Sequence, residues 1–91
     1  MDYYSLLEVD RRASFEVIEK AHKALSLKYH PDRQSPDTRT EATEKMKRIN
    51  EAYGVLSNPR LRSSYDMALN QEKWRIFMDH GLLGLYVRYV K

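Results

Sequence analysis

No cysteine occurs in the 91 residues, so neither a disulfide framework nor a thiolate metal site can hold this chain together, a composition that fits a reducing compartment. Glycine is scarce and never clusters, which excludes a glycine-rich phosphate-binding loop. The longest uncharged apolar run, Gly81 to Val87, falls well short of the roughly 18 residues a membrane-spanning helix needs. The opening Met1-Asp2-Tyr3-Tyr4 has no basic segment followed by an apolar one, so no secretory signal is read there and a cytoplasmic protein is expected. An excess of one charge is missing too. Sixteen Lys and Arg stand against thirteen Asp and Glu, interleaved along the chain. A nucleic-acid binder needs a one-sided basic patch, which a net charge of +3 does not supply.

What is present is helical periodicity. Asp2 before Tyr3-Tyr4-Ser5-Leu6-Leu7 predicts a short capped first helix, broken by Asp10-Arg11-Arg12. Ser14 predicts the cap of a second helix reaching about Tyr29, with Glu16 in its first turn. Ile18, Ala21, Leu25 and Tyr29 share one face of that helix, while Glu16, Glu19, Lys20, Lys23 and Leu27 lie opposite. Glu16/Lys20 and Glu19/Lys23 have the acid-before-base spacing of stabilising pairs. A third helix is predicted from Asp37 or Thr38, where Ala42, Met46, Ile49, Tyr53 and Leu56 form a seam facing another helix. Gly54 interrupts its propensity at a cost of roughly 1 kcal/mol. Asn58 and Pro59 read as cap and first residue of a short fourth helix ending near Asp66. The architecture is all-α: an antiparallel hairpin of helices two and three with short flanking helices one and four. Tyr4, Tyr53 and Tyr65 are expected at the core or its edge, hydroxyls toward the surface. Ninety-one residues allow one modest core and little room for an elaborate active site.

The informative constellation is Tyr29-His30-Pro31-Asp32. Proline forces His30 out of the helix into an extended conformation, so an imidazole and a carboxylate flank a rigid turn. Arg33-Gln34-Ser35-Pro36-Asp37 beyond it has turn chemistry and is expected to be a mobile loop. No nucleophile accompanies His30, and His22, His30 and Asp32 offer no third convincing donor for zinc. Recognition is the better use of the pair, because Asp32 can accept a forked, charge-assisted hydrogen bond from a partner arginine.

These residues resemble the J domain of the DnaJ-type co-chaperones. The resemblance rests on Asp2-Tyr3-Tyr4 with Leu6-Leu7-Glu8-Val9, on Ala21-His22-Lys23-Ala24-Leu25 through Lys28-Tyr29-His30-Pro31-Asp32-Arg33, on Ile49-Asn50-Glu51-Ala52-Tyr53-Gly54-Val55-Leu56, and on Arg62-Ser63-Ser64-Tyr65-Asp66. It implies a J domain over residues 1–66 that is itself no enzyme and needs no cofactor. The partner it implies is a DnaK-type heat-shock chaperone, met at its ATP-binding domain and interdomain linker, whose ATP hydrolysis the module stimulates. Carried over residue by residue, Lys20, His22, Lys23 and Lys28 belong to the docking face, Leu27 to an apolar contact, and His30, Pro31 and Asp32 to the trigger, with Arg33 and Lys47 in support. Glu8 stands where the family usually has glycine, His22 where tyrosine is common and Met46 where phenylalanine is usual, while Glu19 and Ala24 thin the positive stripe. Two other classes remain open: a helical nucleic-acid-binding module using Lys45, Lys47, Arg48, Arg60 and Arg62, and a scaffold that binds without stimulating.

Residues 67–91 read as a C-terminal extension carrying Leu69, Trp74, Ile76, Phe77, Met78 and the Gly81–Val87 run. A docked helix or a partly ordered tail is expected, with self-association, client binding and a membrane-surface anchor as sharper alternatives.

Overall fold

The computed structural model describes residues 2–70; the expectations placed on Trp74, Phe77 and Gly81–Val87 lie outside the described residues. Four helices follow in order: α1 (Tyr3–Leu6), α2 (Phe15–Lys28), α3 (Arg39–Leu56) and α4 (Pro59–Asn70), with one turn of 3-10 helix at Pro31–Arg33 between α2 and α3. There is no strand among the described residues. The fold is all-α, with α2 and α3 forming the hairpin. The second and third helices cannot close a core alone. α3 is therefore the shared wall, packing on α2, α1 and α4.

The caps are local side-chain chemistry. The Asp2 carboxylate accepts from the Ser5 N–H at 2.8 Å, the Ser14 hydroxyl from Val17 N–H at 3.3 Å, and the Asn58 side chain from the Arg60 and Leu61 N–H groups at 3.0 and 3.2 Å. Each satisfies donors that the first turn of a helix leaves orphaned. α3 differs: Thr38 precedes it without capping it, its hydroxyl being engaged with Gln34 and the Ser35 carbonyl. α4 continues four residues beyond the expected Asp66, because Ala68 is buried and Leu69 packs on the core. Apolar burial favours the extension, and no Gly or Pro after Tyr65-Asp66 stops it.

Tyr3, Tyr4, Leu7, Ile18, Ile49, Val55, Leu56 and Tyr65 fill the centre. The Tyr3 and Tyr65 rings stack with centroids 4.6 Å apart. The Tyr65 hydroxyl does not reach the expected surface position; it accepts the Tyr3 backbone N–H at 2.8 Å inside the core. At the edge, the Tyr3 hydroxyl donates to Glu51 at 2.8 Å and the Tyr4 hydroxyl to Asp66 at 2.5 Å. Arg62 ties the connection between α1 and α2 to α4. Its guanidinium donates to the Tyr4 hydroxyl at 3.0 Å, the Arg11 carbonyl at 3.1 Å and the Ala13 carbonyl at 2.8 Å. The closing Arg62, Tyr65 and Asp66 are therefore a structural clasp.

Burial, with the hydrogen bond to Asp66, pushes Tyr4 up to about 12, although Arg62 opposes the shift. Burial also raises Tyr3 and Tyr65 above the ordinary tyrosine value of 10.0. A raised folded value means the native state holds protons that the unfolded chain has released. Stability from this source is whole below the unfolded value and is lost as pH climbs from 10.0 through the folded values. Urea midpoints should hold level from pH 7 to 9 and fall steeply between 10 and 12; a flat profile across that window would show the hydroxyls to be ordinarily solvated.

The end of α1 contains the one non-glycine residue with positive φ among those described, Glu8 at 58°. Glu8 N–H bonds the Ser5 carbonyl and Val9 N–H the Tyr4 carbonyl, both at 3.0 Å, while Val9 packs on the core. This is a Schellman end, whose turning residue is usually glycine because a Cβ is crowded there. The left-handed conformation costs an L-residue roughly 1–2 kcal/mol, part of which glycine returns as unfolded-state entropy. Glu8→Gly should therefore raise stability by about 0.5–1 kcal/mol, read from a urea midpoint at unchanged slope.

Candidate functional site

The C-terminus of α2 delivers the loop. α2 ends at Lys28; His30, at φ −60° and ψ 136°, is extended as the following proline requires. Pro31 opens the 3-10 turn, where its missing N–H costs nothing. The His30 ring caps this turn, Nδ1 accepting the Asp32 backbone N–H at 3.1 Å. A neutral ring in that role carries its proton on Nε2. The Asp32 carboxylate lies 3.7 Å from the same Nδ1, and its side chain is 91% exposed. The charge thus stands free at the tip of a turn whose backbone is already satisfied.

The loop is tied down at its far end as well. Gln34 donates its side-chain amide to the Lys28 carbonyl at 2.9 Å, capping the end of α2, and Thr38 and Ser35 exchange hydroxyl contacts. In the structure the segment Arg33 to Asp37 carries the expected turn chemistry, with Gln34 bonded to the Lys28 carbonyl and Thr38 to the Ser35 carbonyl.

His22, Lys23, Leu27 and His30 meet in one shallow groove between α2 and α3, completed by Ser26 and Tyr53. Leu27 is 56% exposed there. The His22 ring stacks on Tyr53, centroids 4.0 Å apart and planes 9° from parallel, and its Nε2 lies 2.9 Å from Asn50 Oδ1. An imidazole in the common tyrosine position therefore keeps the flat contact between helices. Tyr53, Asn50 and Ser26 are contributors that sequence reasoning missed as site residues. Their signal was spacing, Ser26 one turn beyond His22 and Tyr53 one turn beyond Asn50, but only the α2–α3 packing brings the two pairs together.

The remaining predicted residues lie outside the groove. Lys20 and Arg33 are exposed. The Lys28 ammonium sits 5.4 Å from the Tyr29 ring centroid, joined from α3 by Lys45 at 5.0 Å. Lys47 lies 3.6 Å from Glu44. The expected Glu16/Lys20 and Glu19/Lys23 pairs do not close; the Lys and Arg ion pairs that do form among the described residues engage Asp10 and Glu44. Exposed pairs gain too little to hold long side chains in register, so Lys20 and Lys23 keep their charges available. Among the described residues no cluster of His, Asp and Glu could hold a metal, and no helix is long and apolar enough to cross a membrane.

A sequence model of the DnaJ domain matches residues 2–66. The chain belongs to the DnaJ-domain family. It is similar to the chaperone protein DnaJ of a Nitratiruptor species, 64% identical over 66 residues that make up 72% of this chain and 17% of that protein. The chaperone protein DnaJ of Helicobacter pylori is 52% identical over 66 residues, again 72% and 17% of the two chains. That of Thermoplasma volcanium is 55% identical over 65 residues, 71% of this chain and 18% of the other. The J domain is thus shared, and the chain spans about a sixth of the length of these relatives.

Proposed function

We propose that this J domain is a co-chaperone module that docks on a DnaK-type heat-shock chaperone and stimulates its ATP hydrolysis. The observation that carries the reading is Asp32: a fully projecting carboxylate on a turn held rigid by His30, Pro31 and Gln34, with no structural task of its own. A preorganised acceptor of this kind suits an arginine fork on the partner. Beside it, the unpaired Lys20 and Lys23 and the exposed Leu27 suit an acidic surface with an apolar spot. Stimulation then follows from differential binding, the module favouring the hydrolysis-competent state of the chaperone. Single-turnover ATP hydrolysis by a DnaK-type chaperone, with and without this protein, tests the reading directly; equal rates across a concentration series would overturn it.

The nucleic-acid alternative loses a member. Arg62 is committed to Tyr4, Arg11 and Ala13, and Lys45 is drawn to Tyr29. Docking should instead respond to α2. Lys23→Glu is expected to slow association with the chaperone about tenfold at low salt, the gap narrowing as ionic strength rises. An equal loss on reversing Arg48 would place the interface on α3.

A further inference from the structure

A second surface, separate from the loop face, runs the length of α4. Pro59, Ser63, Met67 and Asn70 follow one another at helical spacing and face Phe15 at the start of α2, with Leu56 buried beneath. Phe15 is 46% and Met67 58% exposed, a large apolar pair that the described residues leave uncovered. The groove ends at Asn70, from which residues 71–91 depart. That stretch carries Trp74, Ile76, Phe77 and Met78, then Leu82, Leu83 and Leu85 around two glycines.

We infer that residues 71–91 are the occupant of the Phe15–Met67 groove, turning back from Asn70 to lay their apolar side chains along α4. Length permits it: the twelve residues of α4 span about 18 Å, which about six extended or twelve helical residues retrace. Tethering favours it, since a segment fixed at the mouth of a groove meets it at an effective concentration near millimolar, whereas a separate molecule would need far more contact area to bind. The covering is independent of the chaperone reading, because no predicted docking residue lines this groove.

Trp74 is the only tryptophan of the chain, so emission from the full-length protein reports on this segment alone. The parent should show blue-shifted emission and shielding from acrylamide, both independent of protein concentration. Phe15→Glu with Met67→Glu, two exposed positions whose change leaves the core intact, should shift Trp74 emission to the red and open it to the quencher while the circular dichroism melt persists. Trp74 already as accessible as free tryptophan, or unmoved by the double variant, would overturn the inference. So would shielding lost on dilution together with a dimer in sedimentation, which assigns the groove to a second copy, or shielding seen only with phosphatidylglycerol vesicles, which assigns the segment to a membrane surface.

Discussion

Asp32→Asn should abolish stimulation of the chaperone while leaving the domain folded. The substitution keeps the shape but removes the charge and turns one of the two acceptor oxygens into an NH2 donor, and nothing inside the domain depends on that carboxylate. The side chain is almost wholly exposed, and the nearby His30 Nδ1 is already engaged as acceptor of the Asp32 backbone N–H. A surface change of this kind shifts stability by at most about 0.5 kcal/mol. Losing one partner of a desolvated, hydrogen-bonded charge pair at an interface costs roughly 2–5 kcal/mol, more than a tenfold loss. Single-turnover hydrolysis at a concentration where the parent is active should therefore fall to the unstimulated rate, with an unchanged melting curve. Full stimulation by a normally folded Asp32→Asn protein would remove the trigger from this mechanism.

Arg62→Ala should be the most damaging change outside the hydrophobic core. The guanidinium spans three acceptors on two other parts of the chain, the Tyr4 hydroxyl and the carbonyls of Arg11 and Ala13, and its ring-facing side lies 5.5 Å from the Tyr4 centroid. Hydrogen bonds from a charged donor contribute about 1.5–3 kcal/mol each when well buried, and these are partly exposed, so a total loss of about 2–3 kcal/mol is expected. In a domain this small that lowers the melting temperature by roughly 10–20 °C. Arg62→Lys should recover less than half, because a single ammonium cannot reproduce the fork. A melting temperature within about 2 °C of the parent for Arg62→Ala would show the clasp to be decorative.

Much of this structure is written in short-range chemistry, and that part was legible. Asp2, Ser14 and Asn58 announce helix starts because a cap needs only one side chain and the backbone beside it. The extended His30 follows from Pro31 alone, and the seam from Ala42 to Leu56 follows from helical geometry. What escaped depends on distant residues. The Tyr65 hydroxyl is buried because Tyr3 brings a backbone N–H to it from the other end of the domain, and no local pattern reveals that. His22 and Tyr53 stack across two helices. The left-handed Glu8 was visible only as a departure from the family's glycine, since glutamate carries no mark of that conformation. The acid-base spacings on α2 misled in the other direction: spacing permits a pair, but solvent decides whether it closes.

The bonds that join Tyr3 to Tyr65 and Tyr4 to Asp66 link residues 62 positions apart. On a ribosome this imposes an order of events. The α2–α3 hairpin, with α1 against α3, can gather as its own residues emerge, but the Tyr3 N–H has no acceptor and the α1–α2 connection no guanidinium until Arg62 and Tyr65 have cleared the exit tunnel. The bonds that seal α1 and the α1–α2 connection are therefore the last that the growing chain can make.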